Sequence, residues 1–237
     1  MIQLLWCTIR PYNFPSAHTE WMKRVKSVDS IFSSVLVSTD QEKEFIETYF
    51  LRNSLKGRVV SYKPPYPGVC LPSYKLSYTL EANMDDVVVF ASDDFIPPSG
   101  WDSYVTEKLK NLTGALLVND GYQKIDFSNM EHAVFSIPIM KYECLTRLNL
   151  VIYHPAYSHL YSDAELYLNL NEMSLIVDDR KNSPDMVFEH HHWSSGKRNP
   201  DSNDQSYYNN REKDRLTWEK RKKLSLQQRL LVDESFL

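Results

Sequence analysis

Two spacings of apolar residues alternate along the first hundred positions of the chain. Short continuous runs of β-branched and aromatic residues predict strands at 2–9, 34–38, 58–62 and 87–90. Longer stretches with apolar residues every three or four positions predict helices that begin near Ser16, Gln41 and Ser73. On the first helix the repeat consists of Trp21, Val25, Val28 and Phe32. The alternation predicts an α/β fold, with a mainly parallel sheet covered by helices on both faces.

The pattern is weaker after residue 102, but it continues. Further strands are predicted at 115–121, 132–140, 174–179 and 185–193. Further helices are predicted at 103–112, at 141–150, from Ser162 onward and at 211–231. We therefore expect a single α/β domain over 1–200, followed by a basic helical extension over 201–237. The leucines of that extension, together with Trp218, are expected to pack on the core.

The strand predicted at 87–90 is followed by two adjacent carboxylates, Asp93 and Asp94. In open α/β sheets ligands bind at the carboxyl ends of the strands, and neighbouring hard oxygen ligands there suit Mg²⁺ or Mn²⁺ with a phosphorylated substrate. Asp is also favoured in turns, and Pro97 and Pro98 follow closely. These residues alone leave a metal site and a simple turn as equal alternatives.

Glycine-rich phosphate loops are missing from the sequence. No G-x-G-x-x-G follows the first strand, no P-loop motif is present, and Gly57 and Gly68 come too late to form one there. The dinucleotide-binding version of the fold is therefore disfavoured. Any phosphate at this sheet must be held by metal and cationic side chains, which favours a metal site at Asp93 and Asp94.

Composition indicates a globular protein with a sizeable core, since 42% of its 237 residues are hydrophobic. The formal net charge of -4 implies no strong overall attraction to nucleic acid. Three widely spaced cysteines, Cys7, Cys70 and Cys144, fit reduced thiols that pack in a cytoplasmic protein. We expect no signal peptide and no membrane span, because no window approaches about 20 apolar residues.

Two further groups of residues are candidates for chemistry. The internal run His190, His191 and His192 lies on a predicted strand, where the first and third rings share a face and can reach one metal. A solvated strand end is the alternative. Ser162 and Glu165 have the spacing of a helix capping box, which offers Asp163 and Glu165 a structural role in place of a catalytic one.

Four segments in order carry a resemblance to a known family: LPSYKLSYTLEANMDDVVVFASDDFIPPSGWD, LLVNDG, YHPAYSHLYSDAEL and FEHHHWSSGK. Together they resemble the GT-A-fold nucleotide-sugar glycosyltransferases of the family-2 type, especially the compact single-domain forms met in phage genomes. The resemblance covers about residues 1–200. It implies a nucleotide-binding half at 1–102 and an acceptor and catalytic half at 103–200.

The family's strand-end motif, D-x-D, holds a divalent metal on the nucleoside diphosphate. Ser92 stands at its first acidic position here, so the resemblance implies Asp94 as the metal ligand and places Asp93 nearer the ribose or sugar. A later histidine completes the site in many relatives, and His192 is preferred over His190 for that role. The implied cofactor is Mn²⁺ or Mg²⁺, and the implied donor is a UDP-sugar.

The family's second acidic motif corresponds to YSDAEL, which implies Asp163 as the catalytic base and Glu165 as either an acceptor contact or a helix cap. The resemblance also implies donor contacts, which fall after the first two strands, on the helix before the acidic motif and just past the histidines. These are Thr8, Arg10, Asp40, Lys75, Lys197 and Arg198.

The resemblance therefore implies a metal-dependent, inverting glycosyltransferase in the cytoplasm. Its acceptor, a hydroxylated pyrimidine in phage DNA, is an expectation based on that resemblance and on the basic residues of 211–231. Such a charged helix is more often a solvated face. Two alternatives are a metal-dependent phosphohydrolase or nuclease, and a binding module that has lost turnover.

Overall fold

The computed structural model of the protein contains a seven-stranded sheet. It describes residues 1–7, 10–62, 68–123, 134–192, 196–199, 202–233 and 236. In the helix that begins at Ser202, it describes side chains from residue 209 onward. The strands are β1 (Ile2–Cys7), β2 (Ile31–Val37), β3 (Gly57–Ser61), β4 (Val87–Ala91), β5 (Phe95–Ile96), β6 (Ala115–Leu117), β7 (Ile139–Lys141), β8 (Ile176–Asp178) and β9 (Glu189–His190). The helices are α1 (Phe14–Met22), α2 (Asp40–Arg52), α3 (Cys70–Tyr78), α4 (Trp101–Leu109), α5 (Tyr142–Arg147), α6 (Ser162–Glu172), α7 (Ser202–Arg221) and α8 (Leu226–Arg229).

The strands of this sheet follow the order β3-β2-β1-β4-β7-β6-β8, and β5 pairs separately with β9. β7 runs antiparallel to both of its neighbours, whereas the other neighbouring pairs are parallel. The predicted α/β class with a mainly parallel sheet is confirmed. The order changes direction between β1 and β4, and ligands bind at such switch points in open α/β sheets.

Alternate residues of the central strands supply two separate cores. Leu4 and Val89 pack with the helices on one face, and Leu5 and Val88 pack on the other. All five residues of β4 are buried. This two-sided burial explains the unbroken apolar run in its sequence, since neither face meets water.

The helix predicted from Ser16 through Phe32 is too long. α1 begins at Phe14 and ends at Met22, and Phe32 belongs to β2, where it pairs in register with Gln3 of β1. The apolar spacing suits a helix, but pairing with the neighbouring strand takes precedence over it. Val28, which the prediction buries, is 47% exposed.

The later strands are shorter than the sequence pattern predicts. Of the strand predicted at 185–193 only Glu189–His190 pairs with β5, and β7 begins at Ile139. After Leu117 the chain turns out of the sheet, because side-chain oxygens of Asn119 and Asp120 accept hydrogen bonds from backbone amides two and three residues ahead. The start of the strand predicted at 132–140 lies outside the described residues.

The helix predicted at 211–231 consists of two helices, α7 and α8. Ser225 begins α8 with a capping box in which Gln228 is the partner. Leu230 is buried, but Leu216 and Leu231 are 47% and 66% exposed, so the expectation that all the leucines pack on the core is wrong. Asp214, Arg221 and Arg229 join these helices to the sheet domain through contacts with Ser158, Glu165 and Asn169, respectively.

Two remaining expectations concern the membrane and the cysteines. Within the described part of the chain, no helix combines the length and apolar character that crossing a bilayer requires. Cys7, Cys70 and Cys144 are free thiols; the latter two are buried. Burial raises the pKa of the Cys7 thiol to about 12, so it packs as a neutral group.

Candidate functional site

A cavity of about 510 Å³ lies at the carboxyl ends of β1 and β4. Its wall brings together residues that are far apart in the sequence, because parallel strands deliver their following loops to one edge of the sheet. Residues that line the cavity include Arg10, Asp93, Asp94, His190, His192 and Arg198. Asp163 lines it from the start of α6. Seven of the residues predicted for the site therefore share one cavity.

Asp93 pairs with a cation from the loop after β1. Arg10 Nη1 lies 3.2 Å from Asp93 Oδ1, and both side chains are largely buried. Burial raises the pKa of the Asp93 carboxyl, and the charge of Arg10 offsets this only in part. The pair joins the loops that follow β1 and β4 and leaves Arg10 on the cavity wall.

Asp94 is held between a serine and a histidine. Ser92 Oγ donates to Asp94 Oδ1 at 2.5 Å, and His190 Nε2 lies 3.3 Å from Oδ2. Burial by itself opposes ionisation of Asp94, but the hydrogen bond and charge of His190, helped by Ser92, outweigh it and lower the pKa. Asp94 is therefore an ionised carboxylate at neutral pH.

The short β5–β9 pair fixes the position of His190. The backbone amide of His190 donates to Asp120 O at 2.9 Å, and the His190 ring stacks on Phe95 with 4.2 Å between ring centroids. Nδ1 of this ring is buried and has no hydrogen-bond partner among the described residues. His192 lines the same cavity farther along, with its ring centroid 5.2 Å from that of His190. His190, rather than the preferred His192, lies against Asp94.

Asp163 is the second residue of α6. Its Oδ1 accepts a hydrogen bond from the Ala164 amide at 2.9 Å, and the side chain is half-buried at the cavity wall. Burial raises the pKa of this carboxyl above its ordinary value of 3.8. Such an elevation makes a carboxylate a better proton acceptor, because the basicity of a general base rises with its pKa.

The capping box predicted for Ser162 and Glu165 is absent. Tyr161 occupies the N-cap position at φ 65° without a side-chain cap, and Ser162 Oγ donates to His159 O instead. Glu165 is 2% exposed and binds Arg221 and Tyr157. A bidentate guanidinium is a stronger partner for a buried carboxylate than a backbone amide. Glu165 does not cap α6 and is not part of the cavity wall, and the acceptor contact predicted for it stays a prediction.

The remaining predicted donor contacts lie outside the described residues, outside the cavity lining or on the cavity wall. Thr8 lies outside the described residues. Asp40 is exposed at the first turn of α2, and Lys197 pairs with Glu189 at 2.8 Å; neither lines the cavity. Lys75 Nζ lies over the Tyr62 ring, 5.8 Å from its centroid, and is also outside the lining. Arg198 and Arg10 are thus the predicted cations that reach the cavity.

Several residues that line the cavity are not among the site residues predicted from the sequence. Tyr122 and Gln123 line the cavity, and Asp120 Oδ1 accepts hydrogen bonds from their backbone amides at 2.9 and 2.8 Å. The Asn-Asp-Gly turn after β6 is a local signal that could have identified this loop. Asn210 of α7 also lines the cavity, and no local pattern marks it.

The described residues include no cluster of three or more His, Cys, Asp or Glu side chains arranged to hold a metal. Asp94 and His190 offer one carboxylate and one imidazole. Mg²⁺ and related ions are commonly held by one or two carboxylates, with substrate phosphates and water completing the shell. The donor set therefore fits a metal that is shared with a bound diphosphate.

No protein-family model and no curated protein matches the chain, but solved structures do. A TarS fragment from S. aureus in complex with UDP has a TM-score of 0.60 at 13% identity, over 75% of this chain and 57% of that one. Mannosyltransferase PcManGT from Pyrobaculum calidifontis, in complex with GDP-Man and Mn²⁺, has a TM-score of 0.56 at 15% identity, over 75% and 53%. An active-site mutant of LgtC has a TM-score of 0.52 at 10% identity, over 81% and 80%.

This chain spans little more than half the length of the TarS fragment and of the mannosyltransferase. At these identities the likeness concerns the fold and not the substrates. The mixed, mainly parallel seven-stranded sheet flanked by helices agrees with it. The chain has the fold of these structures, the GT-A fold.

Proposed function

We propose that this protein is a metal-dependent glycosyltransferase that moves a sugar from a nucleoside diphosphate, preferably UDP, to an acceptor hydroxyl. The observation that carries the proposal is one cavity that is lined by Asp94, His190 and Arg198 and also by Asp163. The first three groups suit a diphosphate and its metal, and the last suits an acceptor proton. Two structural neighbours, in complex with UDP and with GDP-Man and Mn²⁺, support this proposal.

Asp94 and His190 would hold the metal, and its charge would stabilise the departing diphosphate. Arg198 and Arg10 add positive charge at the same wall. Asp93, fixed by Arg10, is proposed to contact the ribose or sugar. Asp40, Lys75 and Lys197 lie outside the cavity lining, and we retain them only as contacts for parts of the donor that extend beyond it.

Asp163 is proposed as the general base. An acceptor hydroxyl forms a bond to the anomeric carbon as the bond from that carbon to the diphosphate oxygen breaks, and the hydroxyl proton passes to Asp163. The leaving diphosphate takes the bonding electrons and remains at the cationic wall. We propose attack on the face of the sugar opposite the departing diphosphate, which inverts the anomeric configuration.

The acceptor is proposed to be anionic, such as a hydroxylated pyrimidine in DNA. The supporting observation is that exposed cations outnumber exposed anions within residues 209–223, at the end of α7 and just after it; they are Arg211, Lys213, Arg215, Lys220, Lys222 and Lys223. Two of them are engaged, since Arg215 pairs with Glu212 and Lys222 with Glu219. Mass spectrometry of hydroxymethylated DNA after incubation with donor tests this acceptor, and an unchanged nucleoside profile rejects it.

Calorimetry with UDP- and GDP-sugars, with and without Mn²⁺, tests the donor. We expect one nucleotide sugar to bind with metal-dependent affinity, and no binding by any of them would overturn the proposed function. Asp163→Asn should retain donor binding and lose transfer. Phosphate release without an acceptor would instead identify a phosphohydrolase, and tight binding without turnover by the unaltered chain would identify a binding module.

A further inference from the structure

Helix α7 reaches the candidate active site through Asn210. This residue is half-buried and lines the same cavity as Asp163. Its amide can donate to one oxygen and accept from another, which suits a polyhydroxylated ligand. The neighbouring Asn209 is exposed and does not line the cavity.

Asp214 lies one helical turn after Asn210, on the same face of α7. It is 0% exposed and accepts three backbone hydrogen bonds from a loop that is more than fifty residues distant in sequence. The amides of Ser158, His159 and Leu160 donate to its two oxygens at 2.8, 2.8 and 2.9 Å. Charge-assisted bonds of this kind are stronger than neutral ones. We call these contacts the Asp214 clamp.

The clamped loop leads directly to the base. Leu160 is three residues before Asp163, and both His159 and Leu160 line the cavity. The same loop accepts from the amide of Val69 through Ser158 O at 2.9 Å, which fixes it to the start of α3. The clamp therefore sets the position of Asn210 relative to the segment that carries Asp163.

The elements that carry the proposed donor residues differ from those that the clamp joins. Asp93 and Asp94 follow β4, His190 belongs to β9, and Arg198 follows it. The Asp214 clamp instead ties α7 to the loop before α6. A ligand bound at Asn210 shares the cavity with His159 and Leu160 of the clamped loop, which leads to the proposed base Asp163 and so to the acceptor.

We propose that Asn210 binds the acceptor and that Asp214 is a positioning residue that holds Asn210 and the loop 158–160 against Asp163. The C-terminal helix is thus the acceptor wall of the active site, and the acceptor class is a hydroxyl compound with a second polar oxygen within reach of the amide. This inference rests on the proposed glycosyltransferase function.

Asn210→Ala tests the acceptor contact, with Asn209→Ala as the matched control on the same helix. The probe is UDP release from the UDP-sugar that the unaltered protein turns over, with water and then glycerol as the acceptor. For Asn210→Ala we expect about a tenfold loss of the acceptor-dependent rate, an unchanged affinity for UDP and Mn²⁺ by calorimetry, and an unchanged unfolding midpoint. Asn209→Ala should match the unaltered protein in all three.

Asp214→Asn tests the positioning role. We expect UDP affinity within about twofold of the unaltered protein and a rate about 100-fold lower, since a displacement of about 1 Å at the base costs that much. Amide hydrogen exchange in the segment 156–162 should quicken, and the pH profile of the remaining rate should shift because the surroundings of Asp163 change. If this variant fails to fold, Asn210→Ala still decides the assignment.

The outcomes separate the two proposals. Absence of UDP release by the unaltered protein with every nucleotide sugar overturns the proposed function, and this inference with it. An active protein whose Asn210→Ala variant keeps full acceptor-dependent turnover overturns the inference alone. A loss of UDP affinity in Asn210→Ala would also overturn it, because Asn210 would then belong to the donor wall.

Discussion

Arg221 of α7 and Glu165 of α6 form a two-point ion pair, with Nη2 and Nε of the guanidinium 2.7 and 2.9 Å from the two carboxylate oxygens. Glu165 also accepts from Tyr157 Oη at 2.6 Å and is almost fully buried. Glu165→Gln would leave the guanidinium without its counter-charge. Breaking a buried pair in this way costs about 3 kcal/mol of the free energy of unfolding. Urea unfolding at pH 7 should show a correspondingly lower midpoint.

The control for this prediction is an exposed ion pair on the same helix. Glu212 lies 2.7 Å from Arg215, and water screens both groups. Glu212→Gln should leave the urea midpoint where it is. Equal midpoints for the Glu165 and Glu212 variants would show that the buried pair does not anchor the C-terminal helix.

His190 and His192 are predicted to differ in metal binding. Only the first lies beside Asp94, at 3.3 Å, although both line the cavity. His190→Ala should weaken Mn²⁺-dependent UDP binding by about tenfold or more, because even outer partners of metal ligands contribute about that much. His192→Ala should have a smaller effect. Calorimetry with and without Mn²⁺ measures both, and the reverse ranking would transfer the metal role to His192.

The rate should depend on the ionisation of Asp163. A general base acts only when deprotonated, and burial raises the pKa of this carboxyl above 3.8. The rate of transfer should therefore fall as the pH decreases through that raised value, earlier than for an ordinary aspartate. The measurement is a pH profile of the rate at saturating donor, alongside Asp163→Asn, whose residual rate should lack this limb. An identical limb in the variant would assign the base elsewhere.

The central strand and its ligands could be predicted because their signals are local. An unbroken apolar run marks β4 as a strand buried on both faces, and the polar residues after it must lie at the sheet edge. Asp94 can therefore be predicted as a site residue from the sequence. The choice between His190 and His192 is not, since it depends on the pairing of Phe95 with His190 in the β5–β9 ladder.

The C-terminal contacts could not be predicted, because they join distant residues without a sequence pattern. Asp214 and Ser158 are 56 positions apart, and so are Arg221 and Glu165. The local sequence pattern at the start of α6 also predicts the wrong contacts. The spacing of Ser162 and Glu165 satisfies a capping box, but Arg221 offers Glu165 a stronger partner. A tertiary ion pair of this kind overrides a correct local pattern.

His18 is predicted to make the protein sensitive to acid. It is fully buried among aromatic rings, and its ring nitrogens lie 2.8 Å from Ser33 Oγ and 3.1 Å from Tyr49 Oη. Burial lowers its pKa from 6.5 to about 4, so the folded state binds this proton more weakly than the unfolded state. The stabilisation is complete above the unfolded value and is lost as the pH falls from 6.5 towards 4, by up to about 1.4 kcal/mol per pH unit.

Urea unfolding of the unaltered protein and of His18→Gln at several pH values in this range isolates that contribution. The variant will be less stable at pH 7, because glutamine does not reproduce both ring hydrogen bonds, but its stability should decline less steeply with acid. His154, whose pKa burial also lowers to about 4, remains in both proteins and contributes equally. Parallel pH dependences for the two proteins would exclude His18 as the cause.

The ionised carboxyl of Asp163 should lower the free energy of unfolding at neutral pH. Because burial raises its pKa, the folded state holds the proton more tightly than the unfolded state, so stability falls as the pH rises from the unfolded pKa through the folded one. At pH 7 the protein carries this full penalty. Asp163→Asn removes it, and we expect about 1 kcal/mol of added stability, or about 2–4 °C in Tm, together with the loss of transfer.

Asp185→Asn, an exposed control, should leave Tm and activity unchanged. An inactive Asp163→Asn with a lower Tm would mean that the carboxylate supports the fold, and its loss of activity would then be no evidence for a catalytic base.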